Sequence, residues 1–284
     1  MSVAEPAGGP VVIAPAQARR GGALGDVWVI ARRGLRHMRR EPETLADATF
    51  QPVMFVLLFA YVFGGAIPVP GGSYHEFLIG GIFAQTIVFG GTFGVAVGIA
   101  TDRSNGAMDR FRSLPIGPGS VLGGHALANL LKMILPLTLM SICGLVIGWR
   151  IHTDVAHAAA AYGLLILFGF AMIWVGVLLG SMLATPEAVQ GVAFVAIFPV
   201  TFIASTFVPT STLPGLLKTI AEWNPTSSLA NSLRHLFENP GGVAPPGAAW
   251  PIAHPVAYTL IWALAIVVIC APLAVAQYQR SIRS

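Results

Sequence analysis

Six apolar stretches, each about as long as a bilayer is thick, constrain this chain more than any motif does. They lie at about 48–67, 77–100, 121–148, 158–183, 188–208 and 253–276, and only the third carries a charge, Lys132. A helix needs about 20 apolar residues to cross the hydrocarbon core. The stretches 155–186 and 188–217 are separated only by Glu187, with Pro186 beside it, so they read as two spans joined by a tight turn. A soluble alternative lacks the ionic groups it would need: 10% of the residues are charged, against about 25% in ordinary soluble domains. With 55% hydrophobic residues, disorder is excluded too. The expected fold is an all-α polytopic membrane protein with six transmembrane helices across 48–276.

Cations set the orientation. Seven of the fourteen arginines precede residue 41; with Arg103, Arg110 and Arg112 and the C-terminal Arg280 and Arg283, one side holds twelve cations. The other side holds Arg150, Lys218 and Arg234. Positive-inside asymmetry then places both termini in the cytoplasm of a cytoplasmic-membrane protein. This distribution suits membrane topology and gives no phosphate-tracking groove, so nucleic acid is not an expected partner. Residues 1–23, where Arg19-Arg20 is followed by no apolar run, read as a disordered cytoplasmic tail, and 277–284 as a second tail. Lys132 has two readings: a charge facing an anionic cargo, or a snorkelling cation if the third span begins late, at 133.

Three segments between or beside the spans could carry function. Residues 24–41 make an amphipathic interfacial helix. Leu24, Trp28, Ala31, Leu35 and Met38 form one stripe, with Arg32, Arg33, Arg36, Arg39 and Arg40 on the adjoining face. The loop 101–118 is the densest charged stretch between two spans. There Met108, Phe111 and Leu114 recur at three-residue steps among Asp109, Arg110 and Arg112, and Pro115 ends the pattern. The extracytoplasmic stretch 209–252 is broken by seven prolines, yet Leu213, Leu216, Leu217, Ile220 and Trp223 are spaced as an apolar helical face. Short interfacial or re-entrant helices would satisfy its backbone groups. Gly90, Gly94 and Gly98 on the second span, and Gly176 and Gly180 on the fourth, repeat every four residues, as close helix packing requires.

Several chemistries are missing. Both lysines follow leucine, so no Gly-Lys-Ser/Thr phosphate loop exists, and the chain is expected to have no ATPase site of its own. His75-Glu76 lacks the second histidine of a zinc-protease helix. His152 and His157 near Asp154 give a weak metal hint, which interfacial histidines explain as well. Cys143 and Cys270 lie in apolar runs and read as small buried hydrophobes. No catalytic, cofactor-binding or metal-ligating set is expected. No carboxylate falls inside a span, which disfavours an ion-coupled carrier. An ATP-independent carrier or a membrane assembly protein remain as alternatives.

The order of three stretches resembles a known family. The first is Gln51-Pro52-Val53-Met54-Phe55 leading to Tyr61-Val62-Phe63-Gly64-Gly65-Ala66-Ile67. Asp102-Arg103, Gly106, Met108-Asp109-Arg110-Phe111 and Leu114-Pro115-Ile116 form the second. The third runs through Phe207-Val208-Pro209, Leu213-Pro214, Trp223-Asn224-Pro225 and Leu233-Arg234. Together they are similar to the membrane subunit of type-2 ATP-binding-cassette exporters, particularly the daunorubicin-resistance permease group of actinobacteria. The resemblance implies that Asp102, Arg103, Gly106, Asp109, Arg110, Phe111, Arg112 and Pro115 belong to a coupling helix that docks on a separate ATPase, which would bind the ATP and Mg. It implies re-entrant helices carrying Pro209, Pro214, Trp223, Asn224, Pro225 and Arg234. It also implies a second permease subunit, identical or similar, and an amphipathic drug, lipid or glycolipid as cargo.

Overall fold

A computed structural model describes residues 25, 27–32, 34, 42–64, 66–69, 71–105, 118–183 and 185–283. Gly106, Asp109, Arg110, Phe111, Arg112 and Pro115 of the charged loop, Arg33, Arg36, Arg39 and Arg40 of the basic face, and the expected tail 1–23 lie outside the described residues. Among the described residues the fold is entirely helical. The principal elements are α1 (Pro42–Val62), α2 (Tyr74–Ser104), α3 (Pro118–Val146), α4 (Val155–Met182) and α5 (Pro186–Phe202). A 3-10 turn at Thr210–Thr212 follows, then α6 (Gly215–Glu222), α7 (Pro225–Leu236), the single turn α8 (Trp250–Ala253) and α9 (Pro255–Arg283). Residues 25, 27–32 and 34 are helical and precede α1.

The helix starts are written locally. Pro42, Pro118, Pro186, Pro225 and Pro255 occupy first helical positions, where a missing N–H is no loss and the fixed φ suits a helix. Oxygens of Ser73, Asp154, Thr185 and Asn224 accept N–H groups that the first turns of α2, α4, α5 and α7 would leave orphaned. Among the described residues, four helices are long and apolar enough to cross a membrane: Tyr74–Ser104, Gly119–Val146, Val155–Met182 and Pro255–Gln277. Phe50–Val62 and Pro186–Phe202 are apolar but shorter.

The long helices α2 and α4 form the centre, with α9 against the other side of α4 and the short α7 wedged among α2, α4 and α9. Glycine permits the closest approach. A Cβ on Gly176 would strike the carbonyl of Thr92, and one on Gly180 would lie 2.5 Å from that of Ala96. On α2 the approach to α4 is made at Gly91, where a Cβ would sit 2.9 Å from that of Met172. Gly90, Gly94 and Gly98 line a different side: Gly94 receives Asn129, Gly90 faces the end of Met133 at 3.8 Å, and Gly98 meets open space. Around this seam Phe77, Leu78, Ile79, Ile82, Phe83, Ile87, Phe168 and Ile173 make the core. Phenylalanine rings join α1 to α5: Phe55 lies 6.4 Å from Phe202, and Phe207 stacks on Phe59 at 4.2 Å.

Two helices end before the apolar stretches that carry them. The first apolar stretch reaches residue 67, but α1 stops at Val62 ahead of Gly64. The fifth reaches 208, whereas α5 ends at Phe202 and residues 203–207 turn back into the bundle. Pro199 removes an amide N–H just before that turn, and the turn's carbonyls are then taken by Arg234. The third stretch is one unbroken helix from Pro118, with Lys132 at its midpoint.

Candidate coupling junction and buried arginine cluster

The bundle has two chemically different ends. At the loop end, α2 finishes and α3 begins on either side of the charged segment 106–117. Asp102 and Arg103 lie in the last turn of α2, where a cation is favourable beside exposed carbonyls. His125 Nε2 lies 3.2 Å from Asp102 Oδ2. One turn further along α3, Asn129 donates from Nδ2 to the carbonyl of Gly90 at 3.1 Å. Gly94 is what admits the Asn129 side chain, since a Cβ there would lie 2.5 Å from its Oδ1. The N-terminal helical segment rests on the outside of α3. A Cβ on Gly124 would lie 2.5 Å from Ile30 Cβ, one on Gly123 3.2 Å from Val27, and one on Gly34 2.9 Å from Ala128. Trp28 and Arg32 on this segment point away from the bundle and are exposed.

At the opposite end, α7 is buried along most of its length although it is rich in Ser, Thr and Asn. Its centre is Arg234, fully buried and with no carboxylate among its hydrogen-bond partners. All five N–H donors are used. Nε donates to the carbonyl of Phe77 at 2.9 Å, Nη1 to Ser205 Oγ and Asn231 Oδ1 at 2.9 Å each, and Nη2 to the carbonyls of Ser205 at 2.7 Å and Thr206 at 3.3 Å. The guanidinium also lies over the ring of Phe77, 3.5 Å from its centroid, a cation–π contact. Burial pulls its pKa below the ordinary arginine value; the dipoles of five acceptors and the ring offset that loss of hydration. Space for the approach comes from glycine: a Cβ on Gly81 would strike the carbonyl of Thr206, and one on Gly80 would touch Arg234 Cγ at 3.0 Å.

Asn224 ties two helix ends together. Its Oδ1 accepts the Thr226 N–H at the start of α7, at 2.8 Å. Its Nδ2 donates to the carbonyls of Val200 at 2.7 Å and Ile203 at 2.8 Å, acceptors that the end of α5 leaves free. Beside it, Pro225 opens α7, while Pro209 and Pro214 precede the 3-10 turn and α6. Trp223 is half-exposed, and its carbonyl accepts the Tyr258 hydroxyl at 2.9 Å. Leu216, Leu217 and Ile220 of α6 are exposed as well. Trp149, fully buried, donates to Asn239 Oδ1 at 2.7 Å, and Asn239 Nδ2 donates back to the carbonyl of Arg150 at 2.9 Å. Glu76 and His152 pair at 2.7 Å on the same end.

The structure thus sets Asn224 with Pro225 at the start of α7 and Arg234 near its end, both holding the segment 200–206, and places Asp102 and Arg103 together at the other end of the bundle. Trp28 and Arg32 are placed on the segment beside α3. Sequence reasoning missed His125, Asn129, Phe77, Ser205, Thr206, Asn231, Trp149 and Asn239. One signal was available for part of that set: Thr226, Ser227, Asn231 and Arg234 recur at helical spacing, in a stretch too polar for an ordinary lipid-facing helix. No group of three His, Cys, Asp or Glu side chains able to hold a metal ion forms among the described residues.

Long apolar helices around a glycine-packed seam define a multi-pass membrane protein. The chain belongs to the ABC-2 type transporter family, whose model matches residues 25–237, from the N-terminal helical segment through α7. It is therefore a transmembrane permease subunit, a class that works with a partner ATPase. It is 30% identical over 219 residues to the daunorubicin resistance ABC transporter permease protein DrrB1 of Streptomyces coeruleorubidus, covering 77% of this chain and 76% of that one. Identity is 26% over 251 residues, 88% of this chain and 86% of the other, to the probable doxorubicin resistance ABC transporter permease protein DrrC of Mycobacterium tuberculosis. A putative transport permease, ycf38, of Cyanophora paradoxa is 22% identical over 220 residues, 76% of this chain and 75% of that one.

Proposed function

We propose that this chain forms half of the membrane pathway of an exporter, completed by a second, identical or similar permease, and that it moves an amphipathic drug, lipid or glycolipid outward. A separate ATPase binds the ATP and Mg and docks on the charged segment 101–118 through Asp109, Arg110 and Arg112, with Arg103 beside them. Arginine suits that contact because its planar fork bonds carboxylates bidentately. The observation that carries this reading is the hairpin of α2 and α3. The 31 residues of α2 make a rod of about 46 Å, longer than the roughly 30 Å hydrocarbon core, so its ends project beyond the lipid. One projecting end leads directly into the charged segment.

In this reading α1 and α5 also cross, giving six spans. The apolar part of α1, Phe50–Val62, is short and crosses only together with the apolar residues up to 67, while the 17 residues of α5 make about 25 Å and draw the turn at 203–207 into the membrane. Residues 209–252 then form re-entrant and interfacial helices on the extracytoplasmic side, with the exposed Leu216, Ile220 and Trp223 meeting lipid. Both termini are cytoplasmic, and the exposure of Trp28 and Arg32 supports an N-terminal segment lying in the headgroup layer. Exposed apolar rings on α1 and α5, among them Phe50, Phe194 and Phe198, support lipid or the second permease on that side. The relatives named for daunorubicin and doxorubicin resistance favour an amphipathic drug among the cargo classes. Co-purification with an ATPase encoded beside this chain tests the reading. Wild type retains the ATPase and the Arg110→Glu/Arg112→Glu variant loses it; a wild-type chain that purifies alone at equal yield overturns the proposal.

A further inference from the structure

We propose that Asp102 and His125 form an internal latch, a positioning pair that makes α2 and α3 move as one body when the partner ATPase pushes on the segment between them. This rests on the exporter reading above, and it gives Asp102 a role other than docking. The two side chains belong to the two helices that flank the charged segment, and they meet Nε2 to Oδ2 at 3.2 Å. Their exposures, 19% and 20%, are low beside the 47% of His152 in the pair at the other end of α2. Water and salt therefore screen the latch less than a surface pair.

The pair does not act alone. Asn129, one helical turn below His125, holds the Gly90 carbonyl and so ties the same two helices at a second height. Two ties at different heights resist both splaying and sliding, whereas one would leave a pivot. The other side of α3 is occupied by the N-terminal segment through Ile30 against Gly124. A push on the segment at 106–117 has two outcomes: it opens the hairpin locally, or it tilts the hairpin whole. The latch selects the second, and only that outcome reaches the spans as work.

The test reconstitutes the full chain with its ATPase in liposomes and reads the ratio of cargo exported to ATP hydrolysed. In His125→Ala the ATPase remains bound and hydrolyses ATP within about two-fold of wild type, while the ratio falls about ten-fold, within the usual range of coupling between sites. His125→Gln, whose amide can still donate to Asp102, keeps most of the ratio, and the exchange Asp102→His/His125→Asp restores it. An unchanged ratio in His125→Ala overturns the proposal. So does a loss of hydrolysis and export in proportion to complex yield, the mark of a merely structural pair. A wild-type chain that fails to bind the ATPase instead removes the exporter reading, and the latch with it.

Discussion

The two ends of the hairpin formed by α2 and α3 are held in opposite ways. At the arginine end, a single guanidinium collects five acceptors from α2, the 203–206 turn and α7. Asn224 and Asn239 tie down the neighbouring backbone. At the loop end, among the described residues, α2 and α3 are tied by His125 to Asp102 and Asn129 to Gly90, and a helical segment rests on glycines. A network whose every donor is satisfied moves only by breaking several bonds together. Glycine faces packed by apolar contact, as where the N-terminal segment meets α3, give way at smaller expense, so the tied hairpin can tilt whole against its neighbour. The difference fits a machine driven from the loop end whose far end must stay sealed.

Removing the centre of the rigid end has the largest expected effect. Arg234→Ala leaves buried acceptors from three segments without a donor, and each orphaned polar group costs about 1–3 kcal/mol. We expect a loss of more than about 3 kcal/mol, read as a collapse of thermal stability in detergent, with Arg234→Lys in between. At the loop end, Gly124→Val places a side chain where Ile30 lies and lifts the N-terminal segment. That loss is expected to stay near 1 kcal/mol, while limited proteolysis newly cuts between residues 25 and 41. Equal destabilisation by the two variants would break the comparison.

The smallest effect is expected at Asp154, which caps α4 at the arginine end yet lies fully in the open. The backbone N–H of His157, and then its ring, donate to the carboxylate and hold its pKa below the ordinary value. A depressed carboxylate pKa contributes stability above the unfolded value and loses it as pH falls through the folded one. Asp154→Ala should therefore lower the melting temperature slightly at neutral pH and not at all in strong acid. A gap that persists in acid would mean that the carboxylate is not the group that matters.

Hydropathy made the long helices legible because burying 20 apolar residues in lipid dominates every local preference. It misjudged α5, where the apolar run outlasts the helix: Pro199 and the demand of Arg234 for carbonyls decide the end, and neither appears in a hydropathy sum. Arg234 itself counted as a loop cation when sides were weighed, since a sequence does not reveal that a charge is solvated by its own protein. The junction was legible only on one side. Asp102 stood out among charges, but His125 is a lone histidine in an apolar run, and its significance appears only when the α2–α3 hairpin folds back to bring residue 125 beside residue 102.

The reach of Arg234 also sets a timetable for biogenesis. Its bond to the Phe77 carbonyl spans 157 residues, which a ribosome takes roughly 10–30 s to make at 5–20 residues per second. Throughout that interval α2 is already synthesised while its far end waits for the segment that will complete it. The most densely hydrogen-bonded part of the finished protein is thus assembled late, with only α9 still to follow. A chain released before residue 234 would leave that end open, as a ready mark for the proteases that clear unfinished membrane proteins.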